Sequence, residues 1–137
     1  MIIDAKNMIL GRIAAVAAKK SLLGEKVDIV NCEQAVVSGT KKRVVDAYLR
    51  KRNMGTPKGG PFIHRSPDRF VRRTVRGMLP YKQPKGRDAF KRVMCHIGMP
   101  DEFKDQAVQI IETANATKLP NLKFISVKEI CKSIGGK

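Results

Sequence analysis

Residues 1–32 read MIIDAKNMILGRIAAVAAKKSLLGEKVDIVNC, and the succession of apolar spacings along this stretch decides the fold class. Met1 to Ala5 is a short apolar run of strand character. Leu10 to Leu22 places apolar residues at 10, 13, 14 and 17, the spacing of one helix face, and its alanines suit close packing of a helix on a sheet. Gly24 is placed to stop that helix. Val27 to Cys32, VDIVNC, has the β-branched character of a strand. Strand, helix and strand at this spacing predict a parallel sheet covered by helices, an α/β layout. A further short apolar run, Ala35 to Val37, ends in the turn-like Ser38-Gly39.

The 137 residues suit one domain, 1–137, and with 42% hydrophobic residues the chain has material for a core rather than for wholesale disorder. No apolar run approaches the roughly 18 residues of a membrane span. The N-terminal MIIDAKNMILGR lacks the basic flank, long apolar stretch and cleavage site of a signal peptide. Three widely spaced cysteines, Cys32, Cys95 and Cys131, make no disulfide framework. The expectation is a soluble, intracellular, strongly basic domain.

The net charge of +16 is concentrated along the chain. Residues 1–40 carry 5 basic and 4 acidic groups, and residues 93–137 carry 6 and 5. Residues 41–92 carry 17 basic groups against Asp46, Asp68 and Asp88, a net of +14. A solvated surface is served by mixed signs, as both flanks show, so a run of one sign points to a polyanion partner.

Within that segment Thr40 is placed to N-cap a helix running to about Arg52, with Val44, Val45, Tyr48 and Leu49 in one stripe. NMGTPKGGPF, residues 53–62, reads as a loop that can be moulded onto a partner. Ser66-Pro67-Asp68 is a helix start, opening SPDRFVRRTVRGML. At about 100° per residue, Phe70, Val71, Val75 and Met78 (with Thr74 among them) span about 140°, and Arg69, Arg72, Arg73 and Arg76 a separate arc of about 100°. No Glu lies between Glu33 and Glu102 to pair them. The planar guanidinium fork binds phosphate bidentately and stacks on bases. A membrane-surface helix would expose larger residues on its apolar side, and this short stripe suits a core. A second loop, residues 80–87, is rich in Pro and cations. A short helix at Asp88 to Arg92 and a strand at Val93 to Ile97 follow. Phe62 and Tyr81 sit in the basic loops, where each either stacks on unpaired bases or packs beneath its own loop. The last third, with Phe124 to Val127 and the amphipathic VKEICKSI, reads as framework.

No catalytic or metal site emerges, and no cofactor is expected. Ser38-Gly39-Thr40-Lys41-Lys42 lacks the first glycine of a phosphate-binding P-loop and reads as a turn plus N-cap, although its backbone N–H groups could hold one RNA phosphate. Cys95-His96 is adjacent rather than spaced as zinc ligands are, so buried thiols are the reading. Nothing favours a Cys95–His64 nucleophile pair or a carboxylate pair for acid–base work.

Three stretches in order, LGRIAAVAAK (Leu10 to Lys19), VDIVNCEQAVVSGTKK (Val27 to Lys42) and VRGMLPYKQPKGRDAFKRV (Val75 to Val93), resemble the ribosomal protein L-thirteen family of the large ribosomal subunit, in its archaeal and eukaryotic-cytosolic form. Arg76, Gly77, Met78, Leu79 and Pro80 match the family's signature by position, as do Gly39 and Lys41. His96 stands where the family more often has an aromatic residue, and a bacterial-style His- and Pro-rich tail is absent, which points to the archaeal branch. The resemblance implies a three-layer α/β/α fold on a mostly parallel, about four-stranded sheet. It also implies a non-enzymatic, cytoplasmic structural constituent of the ribosome, binding large-subunit rRNA and neighbouring ribosomal proteins, monomeric there and not membrane-bound. The expected RNA-binding face comprises Lys41, Lys42, Arg43, Arg50, Lys51, Arg52, Lys58, His64, Arg65, Arg69, Arg72, Arg73, Arg76, Tyr81, Lys82, Lys85, Arg87, Lys91 and Arg92.

Overall fold

The computed structural model describes residues 1–136, so Lys137, the last residue of the expected domain, lies outside the described residues. Strand β1 (Ile2–Asp4) is followed by helix α1 (Leu10–Leu22) and strand β2 (Val27–Val30). β1 and β2 pair in parallel with Ile3 opposite Ile29, as the spacing of the first 32 residues predicts. α1 buries Leu10, Ile13, Ala14, Ala17, Ala18 and Ser21, which is the alanine-lined face expected to meet the sheet. Gly24 adopts φ +99°, and its N–H and that of Glu25 return to the carbonyls of Ser21 and Lys20. This double bond pattern closes a helix through a left-handed residue, which glycine adopts without steric cost.

β2 is buried at every position, as a central parallel strand covered on both faces must be. It ends at Val30 rather than Cys32. Asn31 takes a left-handed backbone conformation (φ +54°), and its side-chain amide donates to Asp4 at 2.9 Å. Asparagine tolerates this region better than other side chains because its short polar group bonds locally. The chain therefore leaves the sheet one residue after the strand and makes a 3-10 turn at Cys32–Gln34.

Strand β3 (Val36–Ser38), helix α2 (Lys41–Asn53), helix α3 (Pro67–Gly77), helix α4 (Pro84–Lys91) and strand β4 (Val93–Cys95) come next. The last part contributes strand β5 (Val108–Gln109), strand β6 (Phe124–Ser126) and helix α5 (Val127–Ser133). The main sheet is parallel, in the order β4-β2-β1-β5. With its helices it forms the three-layer α/β/α arrangement expected. Two details differ from the sequence reading. β3 pairs antiparallel with β6 in a separate two-stranded ladder, and the fourth strand of the main sheet is the two-residue β5, inside the run 107–111 (AVQII), which is too short to establish a period.

Helix boundaries also shift. α4 begins at Pro84, so half of the stretch read as a loop at 80–87 is helical. Proline at the first helical position supplies the φ a helix needs and lacks only an N–H that would go unused. Gly86 is buried, and a Cβ there would lie 2.1 Å from the Pro80 carbonyl oxygen, so the turn between α3 and α4 closes only over a bare backbone. Thr40 and Ser66 occupy the N-cap positions of α2 and α3, but neither side chain caps. The Ser66 hydroxyl donates to Asp68 instead.

One core unites the frame with the basic segment. Val44, Phe70, Val71, Val75, Leu79 and Ala89 pack in the same buried cluster as Ile3, Ile13, Val27, Ile29 and Ile130. Met78, expected on the buried stripe of α3, sits beyond the helix end and is 43% exposed, and Leu79 is buried in its place.

Candidate nucleic-acid interface

The charge of residues 41–92 is carried by α2, α3, α4 and their connections. α3 divides as its periodicity predicts, with Phe70, Val71 and Val75 buried and the arginines opposite. No carboxylate of the described residues lies within ion-pairing distance of Arg69, Arg72, Arg73 or Arg76.

The four arginines are not equivalent. Arg69 and Arg73 are exposed. Arg72 and Arg76 are half-buried, each with its guanidinium carbon 4.6 Å from an aromatic centroid, Phe90 of α4 for Arg72 and Tyr81 for Arg76. Such stacking is worth about 0.5–2 kcal/mol, depending on how dry the pair is. It also holds the side chains extended, which lowers the entropy lost when a ligand is bound. The Nε atoms of Arg72 and Arg76 are buried and have no hydrogen-bond partner. An unpaired buried donor is costly, and an anion is received by the terminal nitrogens of each fork instead. His64, the four arginines and Phe90 line a basin of about 380 Å³ on this face. Its chemistry is that of a phosphate receptor: forked donors, no competing acid, and aromatic planes that fix the forks.

Other predicted residues distribute less simply. Lys42, Arg43, Arg50, Lys58, Lys82, Lys85 and Arg87 are exposed cations of α2, the 53–62 loop, the turn and α4. Lys51 lies 5.4 Å from the Tyr48 ring centroid. Lys41 pairs with Glu129 of α5 at 3.1 Å and Lys91 with Asp88 at 3.5 Å, so both carry a local counter-charge. Arg52 donates to the Ile134 carbonyl at 3.2 Å, and the Arg65 guanidinium lies beside Gly135. Two cations thus sit at the C-terminal end of α5, where they complement its carbonyls. Arg92 reaches the Ser21 carbonyl at 3.5 Å. Several residues read as ligand-facing from the sequence therefore also bind the molecule's own backbone.

The two loop aromatics resolve differently. Tyr81 is 37% exposed beneath Arg76, so it supports a cation on its ring face. Phe62 is 73% exposed and flanks a second cavity. That cavity was not legible in the sequence, because Tyr48, Phe62 and Phe70 come from three separate elements. Phe90 was also missed as the support for Arg72. The available signal was aromatic scarcity: only 5% of the chain is Phe, Trp or Tyr, so each one in a basic segment carries information.

The remaining candidates are occupied or inert. Of the Ser38–Lys42 N–H groups read as able to hold one RNA phosphate, that of Gly39 is taken, since it donates to the Lys123 carbonyl at 2.8 Å. All three cysteines are free and buried. The hydrogen bond that Cys95 donates to Cys32, and then burial, push the Cys95 thiol far above its ordinary range and keep it protonated. His64 is exposed on its loop. His96 lies 3.4 Å from Asp28 and edge-on to Phe103, which satisfies an imidazole where an aromatic ring was the expected family residue. Among the described residues no three His, Cys, Asp or Glu side chains group as a metal site. No helix of the described residues is long and apolar enough to cross a membrane.

The arginine face rests on the stretch from Val75 to Val93 that carries the resemblance, and the comparison with known proteins matches it. A family model described as "Ribosomal protein L13" matches residues 1–102. The chain belongs to the ribosomal protein L13 family. Large ribosomal subunit protein uL13 of Methanococcoides burtonii is 43% identical over 136 residues, covering 99% of this chain and 98% of the relative. The uL13 protein of Methanocaldococcus jannaschii is 41% identical over 140 residues, with 99% and 98% covered. That of Halobacterium salinarum is 34% identical over 135 residues, with 98% and 90% covered. All three are archaeal, the branch the sequence points to. The L13 model covers the sheet strands β1, β2 and β4 and the whole basic segment, and residues beyond 102 are matched through the full-length relatives. In this L13 chain the signature Arg76–Pro80 marks the end of α3 and the turn that Gly86 closes.

Proposed function

We propose that this chain is a structural, non-catalytic constituent of the large ribosomal subunit in the cytoplasm, and that it binds and stabilises folded large-subunit rRNA through the basic face of residues 41–92. It acts there as a monomer and as one domain, residues 1–137. The observation that carries this reading is the arginine face of α3: four guanidiniums without a carboxylate, two of them braced on aromatic rings with buried, unpartnered Nε atoms. Arg69, Arg72, Arg73 and Arg76 take RNA phosphates. Lys42, Arg43, Arg50, Lys51, Lys58, Lys82, Lys85 and Arg87 neutralise strands that crowd the same face. Lys41, Arg52, Arg65, Lys91 and Arg92 contribute charge while anchored to the protein. Recognition follows RNA shape and backbone more than base edges.

Neighbouring ribosomal proteins suit the opposite chemistry. Ile110, Leu122 and Phe124 are exposed beside a cavity of about 670 Å³ in the near-neutral last third of the chain. Apolar exposure of this kind marks a protein contact rather than a polyanion contact.

Binding of a large-subunit rRNA fragment and of duplex DNA of equal charge at physiological salt tests the reading. It requires tighter binding to the rRNA fragment, with a log–log salt slope of about −0.7 to −0.9 per phosphate, and co-sedimentation of the native protein with large subunits through a high-salt wash. Equal affinity for the two nucleic acids refutes it.

A further inference from the structure

We propose that the cavity between α2, residues 61–64 and α3 is a slot for one unpaired nucleobase, whose own phosphate lies in the adjoining arginine basin. This deepens the assignment of the basic face to RNA and rests on it. Tyr48 and Phe70 form the inner wall, their ring centroids 5.1 Å apart and their planes inclined by 59°. Phe62 stands opposite on the 53–62 loop, largely in solvent. The chain has two Tyr, five Phe and no Trp, so three of its seven aromatics converge on this one cavity. An exposed phenylalanine at the edge of an aromatic cavity lacks a partner on one face, and a planar ring system supplies it.

Size and charge narrow the occupant. The cavity measures about 270 Å³, below the roughly 300–1,000 Å³ typical of sites for drug-sized ligands, and suits a single ring system. Its polar edge carries the cations Lys51 and Arg73 beside His64, with no carboxylate. That edge repels a basic peptide and favours a group attached to phosphate. The decisive feature is continuity. His64 and Arg73 line both this slot and the arginine basin, so an aromatic receptor and a phosphate receptor share a wall. A nucleotide is a ring system joined to a phosphate. Stacking a base on aromatic side chains is sequence-tolerant, because every base has a π-face, so the slot selects an unpaired nucleotide without selecting its identity.

The test is an NMR titration of the full chain with AMP and, separately, with ribose 5-phosphate. AMP should shift Tyr48, Phe62 and Thr74 together with the basin arginines, whereas ribose 5-phosphate should shift the basin alone. AMP should bind at least about five-fold more tightly, the equivalent of the lower bound of about 1 kcal/mol for stacking one base. Phe62→Ala removes an exposed side chain and leaves the fold intact by circular dichroism. It should abolish most of the AMP advantage and leave ribose 5-phosphate binding alone. Equal binding of the two probes, AMP shifts confined to the arginines, or an unaltered AMP advantage in Phe62→Ala would each overturn the slot. If the slot fails while the rRNA fragment keeps its preference and steep salt slope, the basic face stands. Loss of that preference removes the face itself.

Discussion

Exchanging arginines for glutamine in two different pairs separates their two jobs on α3. Arg69 and Arg73 are exposed and carry no ion pair, so the double variant Arg69→Gln/Arg73→Gln should change folding stability by no more than about 0.5 kcal/mol per site. Arg72 and Arg76 lie on Phe90 and Tyr81, so Arg72→Gln/Arg76→Gln should lose about 1–4 kcal/mol across the two stacks. At about 2–8 °C per kcal/mol for domains spanning this size, the midpoint of thermal unfolding falls further in the second pair than in the first. Binding to a large-subunit rRNA fragment behaves otherwise. Each pair removes two phosphate partners, so each should flatten the log–log salt slope by about 1.4 to 1.8. The assays are scanning calorimetry on the free protein and filter binding or anisotropy over a salt series. A slope unchanged in Arg69→Gln/Arg73→Gln refutes phosphate binding by this face. Equal thermal shifts in the two pairs refute the bracing by aromatic rings. A quadruple exchange confounds the two effects.

Gly86→Ala should cost more than about 2 kcal/mol, because the added Cβ meets the Pro80 carbonyl at 2.1 Å and the Tyr81 nitrogen at 2.8 Å; urea unfolding measures it, and a loss under about 0.5 kcal/mol contradicts the close approach. Val75→Ala, at a fully buried position shared by α3 and the frame, should destabilise by about 2 kcal/mol without altering the salt slope of RNA binding. Burial, with Asp68 adding to it, pushes the Cys131 thiol up to about 11 from 9.0, so the folded chain keeps a proton that the unfolded chain has released. Stability present below pH 9 is therefore lost as pH rises toward 11, and Cys131→Ala should show a shallower fall over that window in denaturant titrations at stepped pH. Glu129→Gln releases Lys41 from an exposed pair, so it should cost less than about 1 kcal/mol and leave the position of α2 unchanged by circular dichroism and amide exchange.

The sequence made the frame legible where a pattern is long or carries punctuation. α1 has about three and a half turns of amphipathic spacing and a glycine stop and keeps its expected bounds, and β2, with β-branched residues bounded by charge, starts where expected and ends two residues early. Strands of two or three residues are too short to establish a period. β5 is two residues long and shows itself by its parallel pairing with β1. The partner of β3 was hidden because antiparallel pairing with β6 spans most of the chain. The division of α3 into two faces was readable from angular spacing alone. Which arginines are braced was not, since Tyr81 meets Arg76 from the turn after α3 and Phe90 meets Arg72 only once the close approach at Gly86 brings α4 back. Arg52 and Arg65 show the same limit, because a lone cation gives no sign that its partner is a carbonyl at the end of another helix.

The order of the main sheet has a bearing on how the charged region can change without unsettling its support. All four strands of the main sheet lie outside residues 41–92, and β4 begins at residue 93, directly after the last cation of that stretch. The cationic stretch is thus an excursion that departs after β3 and returns to the sheet beside β2, with both ends held by the frame. A tethered excursion of this kind can lengthen or shorten at 53–62 at a cost that grows only logarithmically with added residues. Surfaces that fit divergent RNA can therefore be tried at that tip while α3, braced from below, keeps its register.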